Sequence, residues 1–185
     1  MTLTHMLPSL RRSIPDPLTA DLWPEHTTAT TTDVYVAGVS LLRLADICHT
    51  PCVHTAAAVI PGTHGRPSLT DRATAIVAAV TRISFTASGT LCIRVDARLD
   101  DLRPILAEMR LIGRASTARS TAAVLVLSEA TDDRPAVVEM LASGFPADLE
   151  AGDLLALPCR GDLALRSIRH REAGLAFEAA AIARR

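Results

Sequence analysis

The stretch ATAIVAAVTRISFTASGTLCIRV, residues 73–95, decides the fold class. Two runs of β-branched and aliphatic residues, 75–85 and 91–95, flank a short segment of turn formers that includes Gly89, and the pattern reads as strand, turn, strand. Runs of the same kind recur at 122–127, 136–141 and 154–157. Several short apolar runs punctuated by turn residues predict a mainly β protein, a β-sandwich or Greek-key barrel with one or two short helices. Residues 101–109 read as a helical turn between strands.

Upstream, Val34-Tyr35-Val36 reads as a short strand and Gly38 as a turn. Leu41, Leu42, Leu44, Ala45 and Ile47 then repeat at helical spacing until Thr50-Pro51 stops the helix. Between 56 and 70 the composition shifts to Pro61, Gly62, Gly65 and Pro67, which predicts a loop. Residues 1–32 are rich in Pro, Thr and Asp and read as an extended arm lying over the domain, anchored by Trp23-Pro24. The single β-domain then covers 33–174, and the Ala-rich segment 175–185 is a C-terminal tail or helix.

Composition narrows the function. With 185 residues, 49% hydrophobic, 21% charged and a net charge of -1, the chain has the profile of one soluble domain with a real core. A near-zero charge and 3% aromatic content remove the electrostatic and stacking terms on which nucleic-acid binding rests. The longest apolar runs, 73–80 and 122–127, fall far short of the about 18–20 residues that span a bilayer. The first residues hold no apolar signal core, so the expected location is cytoplasmic, with neither nucleic acid nor membrane as a partner. All 19 basic residues are arginine, which excludes Schiff-base chemistry on a lysine of this chain.

Cys48, Cys52, Cys92 and Cys159 are too few and too scattered for a disulfide framework, and reduced thiols are expected. The segment Cys48-His49-Thr50-Pro51-Cys52-Val53-His54, with His64 beyond it, gathers soft ligands, but its spacing fits no standard zinc motif and no metal is assigned to it. Cys52 and His54 have the residue types of a thiol–imidazole pair. Such adjacency is common by chance, and local packing is the preferred reading.

Two pieces of the chain resemble one family. The first is Leu22-Trp23-Pro24, followed by Val36-Ala37-Gly38-Val39-Ser40, Leu44-Ala45 and Thr50-Pro51. The second runs from about Gly65 to His170 and includes Gly65-Arg66, the strand at 80–85, Val95-Asp96, Asp101-Leu102-Arg103-Pro104 and Ser128-Glu129. It ends with Phe145-Pro146-Ala147-Asp148-Leu149 leading into Gly152-Asp153-Leu154-Leu155-Ala156-Leu157-Pro158. In order and spacing these pieces resemble bacterial diaminopimelate decarboxylases, which belong to the alanine-racemase-like fold type of pyridoxal-phosphate decarboxylases. In that family a (β/α)8 barrel of about 200–250 residues separates the two pieces. Here about ten residues, 53–63, stand in its place.

The resemblance implies that the flanking pieces fold together as the family's C-terminal β-domain. It also implies a loss, because the barrel carries the cofactor lysine, the histidine stacked on the ring and the glycine-rich phosphate loop. Pyridoxal-phosphate catalysis by this chain alone is therefore excluded, and no cofactor is expected. Some substrate-binding positions of the β-domain persist. Arg66 matches the family's glycine-arginine pair and Arg103 its arginine-proline motif, where a guanidinium grips a substrate carboxylate. Glu129 matches the glutamate that reads the distal amino group. Ser128 replaces the active-site cysteine, and Ala107 and Leu163 replace tyrosines, which implies a more apolar cavity. The loop 96–103 is one residue shorter than the family's, with Ala97 and Arg98 in place of glycines.

Arg103 and Glu129 are thus the candidate catalytic residues, with Arg66, Ser128, Ala107 and Leu163 as candidate substrate-binding residues. Beside this stands a plainer reading in which Arg66, Arg103 and Glu129 form solvated ion pairs worth about 1 kcal/mol or less. Asp96, Asp100 and Asp101 have acid–base chemistry, but among Arg94, Arg98 and Arg103 they read as a paired surface network. His54 and His170 are the imidazoles weighed for acid–base chemistry, and neither is assigned a catalytic role.

Two functions follow. One is a cofactor-independent enzyme that holds a small molecule, with a carboxylate as the group its arginines would grip, and guides a cyclisation, isomerisation or elimination. An Ala- and Arg-rich chain without lysine resembles the proteins of high-GC actinobacteria, where duplicated primary-metabolism genes often enter specialised metabolism and biosynthesis. The other is a non-catalytic accessory subunit or metabolite-binding module that docks on a separate barrel protein, or closes on itself as a homodimer.

Overall fold

A computed structural model describes residues 3–63, 65–128 and 135–169 of the chain. The N-terminal part begins with a one-turn helix, α1 (Leu3–Met6), and 3-10 turns at Pro8–Arg12 and Ala20–Leu22. Three short strands, β1 (Thr28–Ala29), β2 (Val34–Val36) and β3 (Val39–Ser40), make a small antiparallel sheet that leads into α2 (Leu41–Cys48). Ser40 caps α2 by accepting from Arg43 N at 3.0 Å. The buried Asp33 carboxylate ties the strand to the helix, accepting from Val34 N, Leu42 N and Ser40 Oγ.

The remaining strands are β4 (Cys52–Val59), β5 (Pro67–Phe85), β6 (Leu91–Val95), β7 (Arg110–Ile112), β8 (Ser120–Ser128), β9 (Val137–Pro146) and β10 (Leu154–Arg160). They form one seven-stranded sheet in the order β7-β10-β5-β6-β8-β9, with β4 also paired to β5. The protein is mainly β, and this sheet curls into a half-barrel.

The 19 residues of β5 explain the curl. Its first half pairs with β4 and β10 and its second half with β6, and the register shifts between Val80 and Arg82. Near that shift Asp96 Oδ1 accepts from Ala79 N at 2.9 Å, so a side chain takes over from the ladder. β5 is also buried on both faces. Ile76, Ala78 and Val80 point into the larger core with Leu91, Ile93, Leu125 and Leu157, whereas Ala75 and Val77 face a second core built by Trp23, Val34, Val36 and Leu41. Period-two alternation with an apolar residue on either side gives the continuous apolar run that marks this strand in the sequence.

Several expectations are corrected. The predicted loop at 56–70 is mostly sheet, because β4 runs to Val59 and β5 starts at Pro67, leaving a tight connection between them. The short segment expected in place of the barrel is accordingly strand over most of its length. The arm at 1–32 is not simply extended; it carries the helical turns and β1, and Pro24 bridges Ala58 while Trp23 is wholly buried. β7 was not expected, and the helical turn predicted for 101–109 is confined to Leu106–Glu108. The tail at 175–185 lies outside the described residues.

Candidate functional site

A cleft of about 910 Å³ lies between the N-terminal arm, the β1–β2 turn, the segment 107–111 and one end of the β8–β9 pair. Leu18, Val34, Met109, Leu111, Leu141 and Phe145 supply its apolar wall. Its polar groups are pinned by the fold. Arg11, held over the start of β8, donates to Ala118 O at 3.1 Å and Ser120 Oγ at 3.2 Å, and its Nε lies 3.5 Å from Asp16. Glu108, buried at the end of a 3-10 turn, accepts from Trp23 Nε1 at 3.0 Å, Thr19 N at 3.2 Å and Arg110 at 3.3 Å. Arg110 also donates to Pro17 O. These contacts staple the arm to the half-barrel.

Arg114 forms the rim. It grips Asp153 bidentately at 2.7 and 2.6 Å and reaches Asp148, and these carboxylates, Asp153 above all, raise its pKa further from neutrality. Ser116 completes the rim by donating to Asp148 at 2.5 Å. At the inner end Gly144, at φ +67, approaches the Thr121 carbonyl so closely that a Cβ would overlap it. The glycine thus lets β8 and β9 close the cleft.

Among the described residues expected to form a site, Ala107 alone lines this cleft. Arg66 is exposed in the β4–β5 connection, where its backbone bonds Thr63 Oγ1 and Ile60 N. Arg103 is exposed beside the start of the 3-10 turn, its carbonyl receiving Arg160 N at 3.5 Å. Ser128 lies half-buried at the end of β8, on the side of Asp100, whose lowered pKa it supports. Leu163 packs against the larger core, and its N–H donates to Thr74 Oγ1. Glu129, His64 and His170 lie outside the described residues.

Arg98 pairs with Asp100 at 2.6 Å and Asp101 at 2.8 Å, and the hydrogen bond from Arg98 holds the Asp100 carboxyl below its ordinary range. Burial, with Cys48 and Asp96 nearby, pushes the Cys52 thiol up to about 11, and burial also raises Cys159. Neither is poised as a nucleophile. Among the described residues no cluster of His, Cys, Asp and Glu is arranged to hold a metal, and no helix is long and apolar enough to cross a membrane.

The cleft's polar residues escaped sequence reasoning because they come from far apart in the chain. Arg11 meets Ser120 across 109 positions and Trp23 meets Glu108 across 85. The one available signal was the lone tryptophan in the arm, which requires a partner for its N–H when buried. Compared with protein-family models, curated proteins and solved structures, the chain gives no match.

Proposed function

We propose that this chain is a decarboxylase-type β-domain working without a barrel or cofactor, which takes a small, largely apolar molecule into the cleft beneath its arm. There it promotes a cyclisation, isomerisation or elimination by holding one reactive conformer. The observation that carries this reading is the cleft itself: about 910 Å³, apolar on its walls, with charged groups fixed by hydrogen bonds before any ligand arrives. Fixed dipoles and ions of this kind stabilise developing charge without reorganisation, and a shaped apolar wall supplies the positioning. The protein is mainly β, the class predicted from its sequence. Arg66 and Arg103 do not line the cleft, so the ligand lies under the arm and not at the family's carboxylate-binding positions.

A second reading, an accessory subunit docked on a separate barrel protein, is favoured by β9. This strand ends the sheet order and exposes Val138 and Met140. Native mass spectrometry of the protein from its own host's lysate separates the two. A small molecule retained by the wild type and absent from an Ala122→Trp variant, whose indole would fill the cleft, supports the first. A stoichiometric barrel-containing chain in place of the small molecule overturns it.

A further inference from the structure

The chemistry of the cleft's ligand, which rests on the reading just proposed, is narrowed by two arginines. Arg11 and Arg110 both line the cleft, and protein acceptors hold both terminal nitrogens of Arg11, through Ala118 O and Ser120 Oγ, and Nη2 of Arg110, through Pro17 O and Glu108. The Nε of each is buried and has no hydrogen-bond partner. For Arg11 the nearest anion, Asp16, stays at 3.5 Å, an ion-pair approach without a hydrogen bond. Buried donors without acceptors are rare, because the lost hydration is not returned. Both side chains are anchored to one corner of the arm, since Arg11 pairs with Asp16 and Arg110 donates to the next residue, Pro17. With no lysine, asparagine or glutamine in the chain, arginine is the main side-chain N–H donor this protein has.

The charge around these donors decides what they accept. Arg11, Arg110 and Arg114 line the cleft together with Asp16, Asp33 and Glu108, so the lining carries no net charge. A carboxylate ligand would meet Asp16 and Glu108 at close range and gain little from guanidinium groups that are already neutralised. A neutral acceptor has no such conflict. We infer that the cleft takes a neutral, mostly apolar molecule bearing a carbonyl group, whose oxygen accepts from the Nε–H groups of Arg11 and Arg110. Its hydrocarbon part lies on Leu111, Leu141 and Phe145.

Three probes of one shape test this: cyclohexyl methyl ketone, cyclohexanecarboxylate and isopropylcyclohexane, each titrated into isotope-labelled full-length protein. The readouts are the single indole N–H resonance, from Trp23, and the Nε–Hε resonances of Arg11 and Arg110. The ketone is expected to move all three, with both Hε signals shifting downfield, and to bind about tenfold more tightly than either other probe. In an Arg110→Met variant, which keeps the Arg11 donor, its advantage over the hydrocarbon should shrink several-fold; should that variant not fold, the wild-type Hε shifts decide the question. Tightest binding by the carboxylate, or ketone and hydrocarbon binding alike with both Hε signals unmoved, overturns the carbonyl assignment and leaves the cleft as an apolar site. If none of the three perturbs the indole, the cleft reading fails with it.

Discussion

The indole N–H of Trp23 donates to the carboxylate of Glu108 over 3.0 Å, with Trp23 fully buried and Glu108 6% exposed. This bond joins the arm to the half-barrel and fixes the floor of the cleft, because the same carboxylate also holds Thr19 N and Arg110.

Removing that carboxylate leaves a buried indole N–H without its acceptor and the Arg110 guanidinium without its anionic partner, with Pro17 O still in place. Glu108→Ala should therefore destabilise the protein by about 2–4 kcal/mol. Urea unfolding followed by the fluorescence of the sole tryptophan measures it directly. A loss below about 0.5 kcal/mol would show that the arm is held by other contacts.

Gly144 sits at φ +67 with the Thr121 carbonyl where a Cβ would be. Gly144→Ala should cost more than the about 1 kcal/mol of a left-handed backbone alone, since the contact is with backbone that cannot swing away. The shift in denaturation midpoint tests this, and a control at Gly38, also at positive φ but with open space around it, should show only the conformational part.

Stability on the acid side should depend on Asp100. Its folded pKa is lowered by the hydrogen bond from Arg98, so ionised Asp100 stabilises the fold above its unfolded pKa of about 3.9, and that contribution is lost as pH falls through the lower folded value. Asp100→Asn should lower stability at neutral pH and flatten the dependence below about pH 4. Parallel wild-type and variant acid-unfolding curves would refute the linkage.

The thiols should divide by burial. Cys48 is exposed, while Cys52 and Cys159 are buried with raised pKa values, Cys52 to about 11. At neutral pH iodoacetamide should alkylate Cys48 well before either of those, which should react only after unfolding. Peptide mapping after a short exposure reads this out, and early labelling of Cys52 would contradict its placement.

What the sequence determined by itself was the local alphabet of the fold. The runs at 75–85, 91–95, 122–127 and 154–157 fall within strands, the run at 136–141 starts one residue before β9, and the helical spacing from Leu41 falls on α2. These signals are legible because side-chain periodicity and turn chemistry act over a few residues. β4 was not legible: His54-Thr55-Ala56-Ala57-Ala58 has little strand preference, and it is strand because β5 is long enough to offer it a pairing edge. β7 is three residues held by β10. The cleft belongs wholly to tertiary structure. Arg11, Glu108 and Arg114 look like ordinary surface charges in the sequence, and only the closure of the arm over the curled sheet brings their partners within hydrogen-bond reach. A hydrogen bond depends on distance in space and is indifferent to distance along the chain, so no local pattern could have encoded it.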